Sequence, residues 1–229
     1  MKHPIPAIGL LLLTSMAEAA PQAFQANYTV TAKGMEVGAM TASLSYANDA
    51  YTYQKLTKAN GLAAFLSGDT LTERSTGNKT GDTLIPKHYL NHHQNRRKDK
   101  KDELDFTSPT SVSGTFADNA YKLNVPKGTL DPAVMELALM DALAANQPLS
   151  YKVVSRGKLQ DYQFRKLGKE TIQTPAGAYE CEKVEVIHQD NKRQTTLWLA
   201  PKLNYAIVQV NHTEDGDLIE TRLNSYQPR

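Results

Sequence analysis

The residues of this chain that come closest to a chemical site by type and spacing lie in HYLNHHQNRRKDKKDELDF, His88 to Phe106. Three chemistries would use such a stretch: a metal held by imidazoles, a basic surface for nucleic acid, or a plain turn between two strands. Geometry separates them. In a strand over residues 86 to 95, His92 and His93 point to opposite faces, and His88 and His92 share a face about 13 Å apart, at roughly 3.3 Å per residue. A zinc ion needs its ligands at about 2 Å, so no metal site is expected unless two neighbouring strands each supply a histidine. The basic residues Arg96, Arg97, Lys98, Lys100 and Lys101 are interrupted by Asp99 and followed by Asp102, Glu103 and Asp105. Much of the charge is answered locally, which predicts a solvated hairpin turn. Arg96, Arg97 and Lys98 remain candidate contacts for an anion, either a phosphate-bearing lipid head group or an acidic partner. The run lacks the stacking aromatics that nucleic-acid binding needs, so no nucleic acid is expected.

Other reactive patterns are missing. The chain has no Gly-x-Ser-x-Gly elbow, no His-Glu-x-x-His, no phosphate loop and no dinucleotide glycine fingerprint. Asp69 and Glu73 read as loop and strand polarity. The one cysteine, Cys181, rules out an internal disulfide and falls at an ordinary strand position. No enzyme and no cofactor are expected.

The first residues point to export. Lys2 and His3 precede an apolar run from Ile5 to Leu13, followed by the small-x-small Ala17-Glu18-Ala19, the pattern of a secretory leader cut after Ala19. The run is too short for a membrane span, which needs about 20 apolar residues, and Ala20 offers no thiol for lipid. A soluble periplasmic product is expected, with residues 1–19 as the leader and 20–229 as a single β-rich domain. A composition of 22% charged and 40% hydrophobic residues suits a globular chain with its own core. A net charge of +2 sets up no global field for nucleic acid or anionic membrane.

The elements that would position any site are mostly strands, since the dominant period is two. Phe24, Ala26, Tyr28, Val30 and Ala32 alternate with polar residues, and Lys33-Gly34 turns the chain into a second such segment. The pattern recurs from Tyr51 to Asn60, Thr70 to Gly77, Pro86 to Asn95, Val112 to Phe116 and Tyr121 to Val125. It resumes after residue 150 in six further runs, ending with Leu218 to Asn224. Hairpins in succession predict a curved antiparallel meander or half-open β-barrel of about a dozen strands. Pro175-Ala176-Gly177 has the residue order of a type II turn.

One long segment departs from that period. Asp131 as N-cap, Pro132 at the first helical position, abundant Ala and Leu, and Asn146 with Pro148 as stop signals predict one main helix over about 131–146. Its apolar residues cover more than half the circumference, so the helix is either sandwiched in the fold or roofs an apolar cavity. Met135, Leu139 and Met140 are therefore candidate ligand contacts. Phe65, in the glycine-bounded patch Gly61 to Gly68, and Trp198, in a strand ended by Pro201, are two more; the indole belongs either to the core or to the mouth of a groove.

Five segments taken together, NYTVTAKGMEVGAM from Asn27, GLAAFLSGDTLTERS from Gly61, IPKHY from Ile85, TPAGAYECEKVEV from Thr174 and WLAPKLNYAIVQV from Trp198, resemble the bacterial exported family known as domain of unknown function 3108. The resemblance spans nearly the whole mature chain in the family's motif order. It implies a curved sheet similar to the half-barrels of LolA-type lipoprotein carriers, and a bend near Ala206-Ile207-Val208, where the family pattern has Leu-Pro-Val. No catalytic residue comes with it. The expectation is a periplasmic, non-catalytic binding protein, a carrier of an apolar or amphipathic, lipid-like ligand in the concave face of the sheet. The alternative is an envelope accessory protein acting through protein contacts, and an enzyme of unassigned reaction stands third.

Overall fold

A computed structural model describes residues 21–188 and 192–229. The leader assigned to residues 1–19 lies outside the described residues. The first eight strands are β1 (Phe24–Ala32), β2 (Met35–Ala47), β3 (Ala50–Ala59), β4 (Thr70–Thr80), β5 (Thr83–Gln94), β6 (Asp99–Ser108), β7 (Ser111–Phe116) and β8 (Asn119–Asn124). A short helix, α1 (Gly61–Leu66), links β3 to β4, and the long helix α2 (Pro132–Ala144) follows β8. The chain then forms β9 (Ser150–Ser155), β10 (Lys158–Thr174), β11 (Gly177–Val186), β12 (Arg193–Ala200), β13 (Ala206–Glu214) and β14 (Asp217–Pro228).

All fourteen strands join one antiparallel sheet in the order β8-β7-β6-β5-β4-β3-β2-β1-β14-β13-β12-β11-β10-β9. Each hairpin pairs with the next, and β1 pairs with β14 to bring the chain's two halves together. This is the expected curved meander, with β8 and β9 as its two edges. The edges do not pair. The seam is bridged by Leu130, whose N–H donates to the Lys152 carbonyl at 2.9 Å and whose carbonyl accepts from Val154 N–H at 3.0 Å. The β9–β10 turn also reaches across, where the Arg156 N–H donates to Asp102 Oδ2 at 2.7 Å. The result is a half-open barrel closed by a linker and a turn.

The main helix has the predicted caps. Asp131 accepts from the N–H groups of Ala133 and Val134, Pro132 occupies the first turn, and Asn146 takes a positive φ of 53° after the helix ends. Eight of its thirteen residues are buried, and at 100° per residue they fall all round the axis. No residue from Asp131 to Leu143 is exposed. Of the two alternatives for this helix, the sandwiched one holds: α2 fills the concave side of the sheet and packs against β3, β4, β5 and β9.

Local differences have local causes. The charged run predicted as a turn is a turn only at Asn95 to Lys98, where the Asn95 side-chain oxygen accepts from the N–H groups of Arg97 and Lys98. From Asp99 onward it is β6, whose inward residues are Asp102 and the core residue Leu104. At Thr174 to Gly177 the positive φ belongs to Gly177 (125°) rather than Ala176, so the turn is not type II. The bend near Ala206-Ile207-Val208 is present without proline, as a bulge opposite Trp198 and Leu199 that leaves Val208 unpaired.

Candidate functional site

Alternation on β3 places Tyr51, Tyr53 and Lys55 on the face that meets α2, and β4 aligns Glu73 opposite Lys55 and Ser75 opposite Tyr53. The helix adds Glu136. Lys55 Nζ lies 2.6 Å from Glu73 Oε2 and also pairs with Glu136. Tyr89 donates to Glu73 at 2.7 Å and Tyr53 to Glu136 at 3.1 Å. Burial alone would push both carboxyls toward their neutral forms. In Glu73 the Lys55 charge and the hydrogen bonds from Lys55 and Tyr89 outweigh it and hold the carboxyl below its usual range. In Glu136 burial wins, helped by the charge of Glu73, and the carboxyl is raised. Burial opposes the charge of Lys55, but its two acidic partners hold the ammonium above its ordinary value.

A second buried array lies beside the first. Ser75 Oγ is 2.6 Å from Asp131 Oδ2 and 3.0 Å from the Tyr51 hydroxyl, while Asp131 Oδ1 accepts the two capping N–H groups at 2.9 Å each. Burial raises the Asp131 carboxyl to about 7, against the pull of these hydrogen bonds. Chemically, both arrays are ties between α2 and the sheet. An ammonium held between two carboxylates is no base, and tyrosines that donate to carboxylates are no nucleophiles.

Open space lies elsewhere. A polar cleft of about 490 Å³ is walled by the Asn95–Lys98 turn, β6, the β9–β10 turn and the start of β12, with Tyr89 and Tyr162 in its lining. A smaller pocket of about 200 Å³ touches Lys55, Glu136 and Met140. A third space, about 470 Å³ and mostly apolar, is lined by Leu84, Ile85 and Pro86 of β5, Phe106 of β6, Pro109 and the Lys127–Leu130 linker. Its charged lining residues are Lys87 and Lys127, and no carboxylate takes part. Among the described residues neither lysine has an ion-pair partner.

The residues singled out from sequence scatter over this structure. Leu139 and Met135 are packed in the core, and Met140 reaches the edge of the small pocket. Trp198 is buried on the opposite face of the sheet from Leu197 and α2; its indole N–H donates to Glu170 at 3.0 Å and Lys183 lies over the ring. Phe65 falls within α1, and its side chain lies outside the described part. Arg96, Arg97 and Lys98 are exposed on one turn, and of the three Lys98 lines the polar cleft. His88, His92 and His93 each face a separate carboxylate, Asp105 at 2.8 Å, Asp99 at 2.5 Å and Asp69 at 2.7 Å. Among the described residues no group of three or more His, Cys, Asp or Glu is arranged to hold a metal. Cys181 is buried and its thiol is raised to about 11, by burial first and then by Glu170 and Glu180. Sequence reasoning missed Lys55 with Glu73, Lys87 with Lys127, and Arg156 with Arg193. The first pair was within reach, because Lys55 shares a period-two face with two core tyrosines.

Among the described residues no helix is long and apolar enough to cross a membrane. No curated protein matches the chain in sequence. Among solved structures, the chain is similar to a beta-barrel-like protein of domain of unknown function DUF1849 from Brucella abortus, with a TM-score of 0.60 and 9% identity over 92% of this chain and 99% of that one. That likeness shows the fold. More distant are a candidate lipoprotein from Parabacteroides distasonis, with a TM-score of 0.40 and 10% identity over 91% and 97% of the two chains, and a candidate exported protein with a YmcC-like fold from Bacteroides fragilis, with a TM-score of 0.35 and 11% identity over the same shares. Residues 27–223 match the family described as Protein of unknown function (DUF3108), and the chain belongs to that family.

Proposed function

We propose that the protein is an exported, non-catalytic binding protein for an anionic amphipathic molecule, lipid-like in having an apolar part and a charged end. The carrying observation is the 470 Å³ space between β5, β6 and the Lys127–Leu130 linker: its walls are apolar, and among the described residues its only charged lining residues are two lysines without ion-pair partners. Its volume lies in the range of small-molecule sites, about 300–1,000 Å³. Ile85 remains 46% exposed there, and covering such surface is favourable by about 25 cal/mol per Å². The charged end pairs with Lys87 and Lys127. Export is supported by the leader pattern of residues 1–19, and the non-catalytic role by the way the buried titratable groups are engaged with one another.

The test is native mass spectrometry of the protein expressed with its leader in a Gram-negative host, followed by solvent extraction. The expected result is an adduct that is released on extraction and is anionic with an acyl chain. A ligand-free protein that acquires none from a lipid extract counts against the proposal.

One observation favours the accessory reading. Met35 (66% exposed) and Ile219 (44%) flank Ala32 on neighbouring strands, forming an apolar strip at the other end of the sheet. A ligand-free protein whose self-association or partner capture is lost on Met35→Lys would put that reading ahead.

A further inference from the structure

We infer that the polar cleft is a second binding site, for a small phosphate-bearing anion. Its cations arrive from three separate walls: Lys98, Lys100 and Lys101 from the turn and first residues of β6, Arg156 from the β9–β10 turn, and Arg193 from the start of β12. Tyr162 is in the lining as well. Lys100 Nζ lies 4.8 Å from the centre of the Phe116 ring, also in the wall. Of the cations, the side chains of Lys98, Lys100, Lys101 and Arg156 have no ion-pair partner among the described residues. Here the two carboxylates in the lining are drawn inward. Glu73 is held by Lys55 and Tyr89, and Asp102, 5% exposed, accepts the Arg156 N–H. Glu73 is engaged beneath the cleft and burial raises the Asp102 carboxyl, away from its charged form, while Lys98, Lys100 and Arg156 stand exposed at the rim.

The backbone holds this arrangement in place. Arg156 and Gly157 both have positive φ, 52° and 69°, in a tight two-residue turn. The bond from the Arg156 N–H to Asp102 fixes that turn over β6, and a methyl on Gly157 would meet the Tyr121 ring of β8 at 3.2 Å. The turn that closes the barrel seam therefore also presents the Arg156 side chain to the cleft. Phosphate is the anion that suits cations on several sides, since its oxygens accept charge-assisted hydrogen bonds in several directions at once and arginine's fork matches two of them. A concave space of about 490 Å³ fits a small molecule better than an acidic protein surface, which needs roughly 800 Å² per partner. The cleft shares no lining residue with the apolar space, so this inference stands or falls independently of the proposed function.

The experiment is an amide-resolved NMR titration with inorganic pyrophosphate. Saturable shifts at Lys100, Arg156 and Gly157 are expected, with affinity falling at least about tenfold, a loss of 1.4 kcal/mol or more, in Lys100→Gln/Arg156→Gln. If Arg156→Gln disturbs the turn, Lys98→Gln/Lys100→Gln should show the same loss. Co-sedimentation with phosphatidylglycerol vesicles that the double variant abolishes assigns the anion to a lipid head group. Pyrophosphate shifts without co-sedimentation assign it to a soluble phosphate. Shifts that do not saturate, an unchanged affinity in both variants, or saturation by poly-glutamate but not by pyrophosphate would each overturn the inference.

Discussion

Lys55 Nζ and Glu73 Oε2 are 2.6 Å apart across neighbouring strands, with side chains only 15% and 13% exposed, and Glu136 of α2 completes the group. This is where the helix is charged-bonded to the sheet. Removing one member of a buried ion pair leaves the others desolvated and uncompensated, at a cost of about 3–5 kcal/mol. Lys55→Met should lower the urea-unfolding free energy at pH 7.5 by that amount. Replacing all three groups at once, Lys55→Met/Glu73→Gln/Glu136→Gln, should recover most of it. A single variant as stable as the parent would mean that the array does not hold the helix.

Asp131 makes the stability of the fold depend on pH in a defined direction. Its carboxyl is raised to about 7 in the folded chain, against about 3.9 when unfolded. Between those values the folded form holds a proton that the unfolded form has lost. Stability is therefore undiminished below the unfolded value, falls as pH rises through the window and levels off above the folded value, by at most about 4 kcal/mol. Asp131→Asn keeps an oxygen for the two capping N–H groups and removes the titration. Urea midpoints from pH 4 to 8 should show the variant gaining on the parent as pH rises. A constant difference would show that Asp131 is ionised throughout.

Leu139 is 0% exposed and belongs to the packed core. Leu139→Ala should cost about 2–5 kcal/mol and leave ligand binding unchanged. A loss below about 1 kcal/mol, accompanied by altered binding of an apolar probe, would return the helix to the role of cavity wall.

Gly77 on β4 faces the β5 bulge at which Lys87 is unpaired. A methyl there would stand 2.0 Å from the Ile85 carbonyl oxygen and 2.8 Å from the Tyr51 ring. Gly77→Ala must push β5 away, at a cost of about 3 kcal/mol, and because Ile85 and Lys87 line the apolar space it should also weaken ligand binding. Thermal melting together with a binding titration checks both effects. A variant that melts and binds like the parent would show that the contact relaxes freely.

What was legible in the sequence was what local chemistry specifies. The Asp131 cap, Pro132 and the Ala-Leu run fix α2 from neighbouring residues, and period-two alternation fixes most strands. β6 was illegible because DKKDELDFTS carries charge at most outward positions and its inward face includes Asp102, so it resembles a solvated turn. The candidate sites were harder still. Lys87 and Lys127 are brought to one space by the linker that crosses the barrel seam, and Arg156 and Arg193 meet Lys98 and Lys100 only because β9 to β12 curl back toward β6. In sequence the helix shows an apolar surface over more than half its circumference, but sequence cannot distinguish residues packed against a sheet from residues lining a void.

The most direct test of the binding role is a fluorescence titration with dansyl-undecanoic acid. A saturable one-to-one enhancement is predicted, weakened about tenfold, or 1.4 kcal/mol, by Lys87→Glu/Lys127→Glu and unaffected by Lys100→Gln/Arg156→Gln. No saturable enhancement, or one that ignores the loss of Lys87 and Lys127, would contradict it.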